Sequence, residues 1–276
     1  MPPPARKPRP QRVLTVETSE RLGPHLVRLV LTGESLADFG AQEYTDAYVK
    51  LLFVDPALGL EPPFDLAELR ETLPGDRQPV TRTYTVRAID RDALRLTLDF
   101  VTHGDVGHAG PWAQQAQVGD VAIVMGPGGG YAPRTEVGWH LFAGDLSALP
   151  AIAASLEALP SGAKGVTLIE VELEEDILEV SAPAGVRVSW LVNPDIADVD
   201  FLARSIDAIT WPQDLSEQSV QVFAHGERES IKAVRAVLKR RAVPRGAISI
   251  SGYWARGRTE DAFQAEKRTP IGQIED

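Results

Sequence analysis

Residues 81–85 carry the side chains of this chain that are best suited to bind an extended anionic ligand. Alternation along a strand puts Arg82 and Tyr84 on one face. The Arg82 guanidinium offers a planar fork for phosphate, and the Tyr84 ring offers a stacking surface and a hydroxyl. Thr85 adds a small hydroxyl where a larger side chain would block the edge of a ring. The alternative is an ordinary surface strand with a cross-strand pair between an arginine and a tyrosine.

Two further segments extend this candidate ligand bed. Residues 99–104 have the sequence DFVTHG at the end of the next predicted strand, and residues 107–113, GHAGPWA, begin a short predicted helix. Small residues at a helix start let main-chain N–H groups approach an anion, which the helix dipole also favours. The alternatives are a plain strand end with a turn at His103, and a helix start whose Trp112 packs on the neighbouring strands.

The glycines of residues 126–130 suggest a dinucleotide fingerprint at first sight, but their context excludes it. They follow a predicted strand, yet Tyr131, Ala132 and Pro133 come next instead of a helix. A Rossmann fingerprint needs a helix at that point. We therefore interpret these glycines as the exit from the first domain, near the boundary with the second.

Two types of domain position these residues. Short strands at 12–18, 25–31, 48–54, 81–88, 94–101 and 121–125, separated by turn residues, predict an antiparallel β-barrel, with a long loop at 55–80. From residue 138 onward strands alternate with helices, which predicts a mainly parallel sheet. We therefore expect a two-domain β plus α/β protein, with a flexible Pro-rich tail at 1–11, a barrel at 12–135 and an α/β domain at 136–276.

The composition limits the partners that this protein can have. The net charge of −11 argues against non-specific nucleic-acid binding. The chain has no cysteine, so disulfides, thiolate metal sites and a cysteine nucleophile are excluded. It also has no apolar run near the ~20 residues of a membrane helix, and its N-terminus lacks the apolar core of a signal peptide. We expect a monomeric cytoplasmic protein without membrane insertion.

Taken in order, the motifs of this chain resemble those of the siderophore-interacting protein family, the ferric-siderophore reductases related to ferredoxin–NADP reductases. The resemblance rests on RTYT at residues 82–85, DFVTHG at 99–104 and AGPWA at 109–113. It is strengthened by GPGGGYAP at 126–133, AGDLSALPAI at 143–152 and GYWARGRTED at 252–261, followed by Glu266 and Lys267. It covers almost the whole chain after the Pro-rich tail.

The resemblance implies that the barrel binds FAD and that the second domain binds a nicotinamide donor. Tyr84 is then expected against the flavin ring, Thr85 near its reactive N5 edge and Arg82 at the FAD phosphates. Some relatives have Ser-Arg where this chain has Gly110 and Pro111, so this position supplies no arginine here. The residues expected to bind FAD are Arg82, Thr83, Tyr84, Thr85, Asp99, Phe100, Val101, His103, Gly104, Ala109, Gly110, Pro111, Trp112 and Ala113.

Candidates for the donor site follow two strands of the second domain. Gly144 and Asp145, and likewise Gly226 and Glu227, lie at strand ends before helices, where open parallel sheets bind ligands. The alternative for both is a turn shaped for packing. Relatives differ in their electron donor, and no basic pair is clearly placed for a 2′-phosphate, so NADH, NADPH and a ferredoxin all remain open.

Four cationic residues are candidates for a substrate pocket, because ferric siderophores are often anionic. These residues are Lys50, Arg256, Arg258 and Lys267. The resemblance implies a flavin-dependent reductase that takes electrons from a nicotinamide donor and reduces siderophore-bound Fe(III) to Fe(II), which releases the iron. The alternatives are a flavin reductase with another acceptor or a ferredoxin donor, and a siderophore- or flavin-binding module without turnover.

Other chemistries find less support in the sequence. The acidic residues of 170–179 predict a solvated rim more strongly than a metal site. The histidines show no metal-binding spacing such as HExxH, and no GxSxG elbow surrounds a serine. We therefore expect no resident metal and no catalytic acid, base or nucleophile.

Overall fold

A computed structural model describes residues 10–40, 43–104, 107–267 and 269–274 of the chain. Most of the predicted tail at 1–11 lies outside these ranges. Its last residue belongs to the barrel, because Gln11 begins the first strand and pairs with Met125. The Gln11 side-chain amide also donates to the Phe64 carbonyl and accepts from the Phe64 N–H, both at 2.8 Å. The barrel therefore begins one residue earlier than the sequence predicted.

The first half of the chain forms a closed antiparallel barrel, which confirms the prediction. Its strands are β1 (Gln11–Gly23), β2 (Leu26–Thr32), β3 (Tyr48–Phe53), β4 (Val80–Asp90), β5 (Arg95–Val101) and β6 (Val121–Gly128). They are hydrogen-bonded in the order β1-β2-β5-β4-β3-β6. Alternate side chains fill the interior, as period-two strands require, and Leu14, Val16, Leu96, Leu98 and Phe100 are all buried there.

Two short helices connect the barrel strands. α1 (Leu66–Thr72) lies within the stretch predicted as loop, because the Asp65 carboxylate accepts from the N–H groups of Ala67 and Glu68 and caps it. α2 (Ala109–Gln115) forms the predicted short helix and does not extend to Gln117. The N–H of Gln117 instead donates to the Asp120 carboxylate at 2.8 Å. Neither helix alters the predicted barrel.

The second half of the chain forms a five-stranded sheet, parallel throughout, with helices packed on it. The sheet order is β11-β10-β7-β8-β9. Its elements are β7 (Trp139–Asp145), α3 (Leu149–Ala158), β8 (Lys164–Val171), β9 (Gly185–Val192), α4 (Phe201–Ala208), β10 (Val220–Glu227), α5 (Arg228–Arg240), β11 (Ile248–Trp254) and α6 (Glu260–Glu266). Every residue of the inner strand β10 is buried, as expected for a strand covered on both faces. Within the described ranges, no helix has the length and apolarity needed to cross a bilayer.

The two halves pack through a shared apolar cluster and several polar contacts. Leu26 of the barrel is buried among residues of α3, β7 and β10, and the Tyr131 and Phe223 rings lie 4.7 Å apart. Asp176 corrects the prediction of a solvated rim, because its carboxylate is buried and accepts from the His25 N–H at 3.0 Å. Asp176 Oδ2 also lies 2.7 Å from the His25 ring Nδ1. The acidic run therefore contributes one carboxylate to the contact between the halves.

Candidate functional site

Strand β4 presents the first group of predicted site residues at the barrel surface nearest the second domain. The Tyr84 ring lies 4.3 Å from the Phe100 ring and packs against the barrel core. Burial is the main cause that raises the pKa of the Tyr84 hydroxyl, so this group stays protonated. Thr85 is buried, and the Tyr253 side chain of β11 lies beside it. The β4 strand thus reaches across to the second domain.

Arg82 has a partner that the sequence did not suggest. Its guanidinium forms an ion pair with Asp261 of α6, at 3.2 Å from Nη2 to Oδ2. The Arg82 side chain is 13% exposed, whereas that of Asp261 is 73% exposed. The Arg82 side chain is therefore mostly buried, whereas that of Asp261 lies at the protein surface. An ion pair with such an exposed partner contributes little to stability.

The second group of predicted residues lies at the end of β5 and at the start of α2. The Phe100 side chain is fully buried and packs edge-on against Trp112, at 5.8 Å between ring centroids. Ala109 and Ala113 are buried where α2 packs on the barrel, and Gly110 and Pro111 beside them are partly exposed. The buried Phe100 ring therefore supports Tyr84, and the predicted contact of Phe100 with a cofactor stays a prediction.

The remaining residues of this stretch differ in their surroundings. His103 and Gly104 are exposed, and Val101 is half-buried. The Asp99 carboxylate is buried and accepts two hydrogen bonds from the Arg28 guanidinium, at 2.6 and 2.7 Å. This pair holds β2 to β5, and the predicted contact of Asp99 with a cofactor stays a prediction.

A cavity of about 270 Å³ lies between the barrel and the C-terminal helix. It is lined by Lys50, Thr81, Thr83, Glu260, Asp261, Gln264 and Lys267. Lys50 on β3 and Thr83 on β4 are paired in register, which puts them side by side. The structure thus brings together two predicted substrate lysines that lie far apart in the sequence.

Lys267 lines this cavity and packs against an aromatic ring. Its Nζ lies 4.7 Å from the centroid of the Phe263 ring, a distance that allows a cation–π interaction. Burial is the main cause that lowers the pKa of Lys267, and the nearby Lys50 lowers it further. Glu260 opposes this shift. Lys267 is a partly desolvated cation, which attracts an anion more strongly than a solvated one.

The two predicted substrate arginines do not line this cavity. Arg258 donates through Nε to Glu266 Oε1 at 2.6 Å. Arg256 is exposed beside the end of β11, where its N–H donates to Glu227 and its guanidinium lies 6.0 Å from the Trp254 ring. Of the four predicted cations, the two lysines therefore share this cavity, and the two arginines lie outside it.

A second candidate site lies at the carboxyl ends of β7 and β10. Asp145 Oδ2 accepts from the Glu227 N–H and from the Trp254 indole, each at 2.8 Å. Its Oδ1 accepts from the N–H and hydroxyl of Ser147. Desolvation raises the pKa of Asp145, and these four hydrogen bonds oppose the rise. We call this place the strand-end crevice, formed by Asp145, Glu227 and Trp254.

Close packing explains both glycines predicted at the strand-end crevice. A Cβ at Gly144 would lie 2.3 Å from the His225 carbonyl oxygen, and one at Gly226 would lie 2.7 Å from Asp145 Oδ2. Gly226 also has φ +152°, which disfavours other residues. These glycines are needed for packing whether or not a nucleotide binds, and their contact with a nicotinamide donor stays a prediction.

Two elements, α6 and β11, contribute side chains to these sites that the sequence did not predict. Helix α6 supplies Glu260, Asp261 and Gln264 to the cavity, and β11 supplies Tyr253 and Trp254. The motif GYWARGRTED at 252–261 contained most of these residues. Of this motif only Arg256 and Arg258 were predicted as site residues, because the expected substrate is anionic.

Comparisons with known proteins match both halves of the chain. Residues 15–131 match the model of the siderophore-interacting FAD-binding domain, and residues 137–257 match that of the siderophore-interacting protein. The ferric vibriobactin reductase ViuB of Vibrio cholerae is 35% identical over 263 residues, covering 95% of this chain and 96% of ViuB. The NADPH-dependent ferric-chelate reductase of Escherichia coli is 28% identical over 250 residues, covering 88% and 92%.

A solved structure shows the same arrangement of the two halves. The crystal structure of the siderophore-interacting protein SipS from Aeromonas hydrophila superposes with a TM-score of 0.77 at 31% sequence identity. The superposition covers 95% of this chain and 97% of SipS. The two family models in order, together with the nearly full-length likeness to ViuB, show that this chain belongs to the siderophore-interacting protein family.

Proposed function

We propose that this protein is an FAD-dependent reductase that takes electrons from a nicotinamide donor and passes them to ferric siderophores. The observation that carries the proposal is the cavity in which Lys50 and Lys267 meet beside β4. It sits at the barrel strand expected to hold the flavin, on a protein whose net charge is −11. The matched FAD-binding domain, and the reductase activities that ViuB and the E. coli relative are named for, support it.

The residues at β4 and α2 fit FAD. Arg82 is held in a fixed place by the barrel, and its exposed partner Asp261 can be replaced by a phosphate. Charge-assisted bonds from arginine to phosphate are stronger than an exposed ion pair. The start of α2 has no side-chain cap among the described residues, so its first N–H groups are available to a pyrophosphate. Tyr84, supported by Phe100, offers a ring for stacking.

The two lysines of the cavity fit an anionic iron complex as substrate. FAD, when bound, would accept one hydride, and so two electrons, and release these electrons singly, which matches the one-electron reduction of Fe(III) to Fe(II). Lys50 and Lys267 bind and orient the complex, and no side chain needs to transfer a proton. Fe(II) is held less tightly by hard oxygen ligands than Fe(III), so the reduction releases the iron.

The strand-end crevice fits the nicotinamide donor. It lies at the carboxyl edge of the parallel sheet, where such sheets bind nucleotides. Tyr253 of β11 lies beside Thr85 of β4, which brings this edge next to the expected place of the flavin. A donor bound there can reach the flavin from the side of the second domain.

An anaerobic assay tests the proposed function. Purified protein is loaded with FAD, reduced with NADH or NADPH and mixed with a ferric siderophore in the presence of an Fe(II) chelator. We expect the flavin absorbance to fall with the donor, to return with the ferric complex, and the Fe(II) chelate to form. A protein that cannot be loaded with FAD, or whose reduced flavin produces no Fe(II), would contradict the proposal.

A further inference from the structure

The carboxyl edge of the parallel sheet continues beyond Asp145 onto strands whose acidic side chains carry charge of the same sign as a phosphate. Glu170, near the end of β8, is paired in register with Asp145. Its Oε1 accepts from the Asn193 side-chain amide at 2.7 Å. Asn193 is buried after the end of β9, and its N–H donates to the Val171 carbonyl at 2.8 Å. Glu170 is thus held in a defined place by the neighbouring strand.

The position of the flavin decides which half of the donor reaches Glu170. β11 contacts the barrel through Tyr253 and Thr85, so the hydride-donating end belongs near β10 and β11. In the sheet order β11-β10-β7-β8-β9, the rest of the donor then extends past β7 over β8 and β9. The adenosine half of the donor therefore passes over Glu170, on the side of the sheet away from the flavin end.

The charges around Glu170 are mainly negative. Burial raises the pKa of the Glu170 carboxyl, and Asp145 and Asp198 raise it further, whereas Asn193 and Arg256 lower it. Arg204, the cation next to Asp198, is bound to the Asp198 carboxylate, with Nη1 3.0 Å from Oδ1. A 2′-phosphate would add almost two further negative charges here. A 2′-hydroxyl can instead donate a hydrogen bond to a carboxylate.

We propose that Glu170, held by Asn193 and reinforced by Asp198, is a specificity-determining residue that makes NADH the donor and rejects NADPH. The inference rests on the proposed function, since it assigns a role at the donor site of that reaction. The proposed preference for NADH distinguishes this chain from its E. coli relative, which is named for its use of NADPH. An acidic side chain that recognises the ribose diol, as in other open parallel sheets, is the physical basis.

The adenosine half of the donor can be tested without any redox reaction. Calorimetric titration of the FAD-loaded protein compares 5′-ADP with 2′,5′-ADP, two adenosine nucleotides with the same number of phosphates, of which only 2′,5′-ADP carries one on the 2′-oxygen. We expect 5′-ADP to bind about tenfold more tightly, as one close like-charge contact predicts. Equal binding, or tighter binding of 2′,5′-ADP, overturns the inference.

Three variants assign the preference to its residues. Glu170→Gln keeps the size of the side chain and removes its charge, and we expect the preference for 5′-ADP to fall to about threefold or less. Asp198→Asn frees Arg204 and is expected to shift the preference in the same direction, which provides a second test if Glu170→Gln folds poorly. The matched control is Glu136→Gln, an exposed residue before β7 at the opposite edge of the sheet, which is expected to leave the preference unchanged. A wild-type preference in both Glu170→Gln and Asp198→Asn overturns the role of Glu170.

A third measurement separates this inference from the proposed function. The FAD of the wild-type protein is reduced with dithionite, excess reductant is removed, and a ferric siderophore is added without any nucleotide. If Fe(II) forms but neither 5′-ADP nor 2′,5′-ADP binds, the donor inference is overturned and the reductase activity stands. If the nucleotides bind as expected but no Fe(II) forms, the proposed function fails while the selection of 5′-ADP by the crevice is upheld.

Discussion

The cavity at the barrel and the carboxyl edge of the parallel sheet differ in the sign of their charge. At the cavity Lys50, Lys267 and the adjoining Arg82 face the carboxylates of Glu260 and Asp261. At the sheet edge Asp145, Glu170 and Asp198 outnumber Arg256, the cation that reaches Glu170. On a protein of net charge −11 the cavity is the exception. The difference indicates that the two ends of the proposed electron path select ligands of different charge.

The two regions can form one electron path only if FAD lies between them. Arg82→Ala tests this position of FAD, and we expect it to have the largest effect of these variants. Losing a charge-assisted bond to phosphate should weaken FAD binding by about tenfold or more. The ratio of flavin to protein absorbance after gel filtration measures this loss. Arg95→Ala, which breaks an exposed ion pair with Glu17 elsewhere on the barrel, is the control. Wild-type retention of FAD in Arg82→Ala would show that the phosphates lie elsewhere.

Lys267→Ala tests the cationic end of the comparison. We expect KM for an anionic ferric siderophore to rise about tenfold, because a partly desolvated cation is lost, while FAD content stays constant. Steady-state Fe(II) formation gives KM and kcat separately. Lys164→Ala removes an exposed lysine at the start of β8 and should change neither value. A lower kcat with unchanged KM would assign Lys267 a role other than binding.

The Asp176–His25 contact holds together the halves that carry the two regions. Asp176→Ala leaves the His25 N–H and ring nitrogen without their acceptor at the boundary, and we expect the free energy of unfolding to fall by about 1–3 kcal/mol. Urea denaturation measures this change. The exposed Glu174 is the control, and Glu174→Ala should change stability by no more than about 0.5 kcal/mol. Equal stability of the two variants would show that this contact does not fix the halves.

The pH dependence of substrate binding tests whether burial tunes the cavity. Because burial lowers the pKa of Lys267, its positive charge is lost at a lower pH than that of an exposed lysine. We expect KM for an anionic siderophore to rise several-fold as the pH increases into the alkaline range, within the limit set by Lys267→Ala. Lys267→Arg keeps its charge at all these pH values and should give a flat profile. A wild-type profile as flat as that of Lys267→Arg would contradict this assignment.

Salt gives the smallest effect and compares both regions in one experiment. Raising ionic strength screens attraction and repulsion alike. We expect binding of an anionic siderophore to weaken by a few-fold, and the discrimination against 2′,5′-ADP to shrink by a similar factor. Titrations at low and high salt measure both. If discrimination against 2′,5′-ADP is independent of salt, its cause is shape and not charge.

The sequence predicted the architecture well because local signals determine it. Alternating side chains in the first half and alternating strands and helices in the second half each correspond to one structural class. Helix α1 was missed because its signal is a single cap, Asp65, within a stretch rich in proline and glycine. Asp176 was missed because nothing in an acidic run distinguishes the one carboxylate that His25, in the turn before β2, will cover.

The candidate site could be predicted only as far as each motif is local. Lys50 and Lys267 were selected for their charge, and tertiary folding brings them into one cavity. Arg256 and Arg258 have the same charge, but Glu227 and Glu266 hold them elsewhere. The Arg82–Asp261 pair joins the barrel to the C-terminal helix, and no sequence spacing predicts such a contact. Charge therefore identified candidates, and only the fold could group them.

Helix α6 belongs to the second half of the chain, yet it forms one wall of a cavity whose other wall is the barrel. It is attached through Glu266, which binds both Arg228 and Arg258. The lining residues of α6 are exposed or half-buried, whereas Phe263 alone is buried and anchors the helix. If this cavity binds the iron complex as proposed, related proteins can diverge in the complexes they accept by changing a few positions of this helix. Exchanging α6 between homologues offers a compact route to new substrate ranges with the flavin fold left intact.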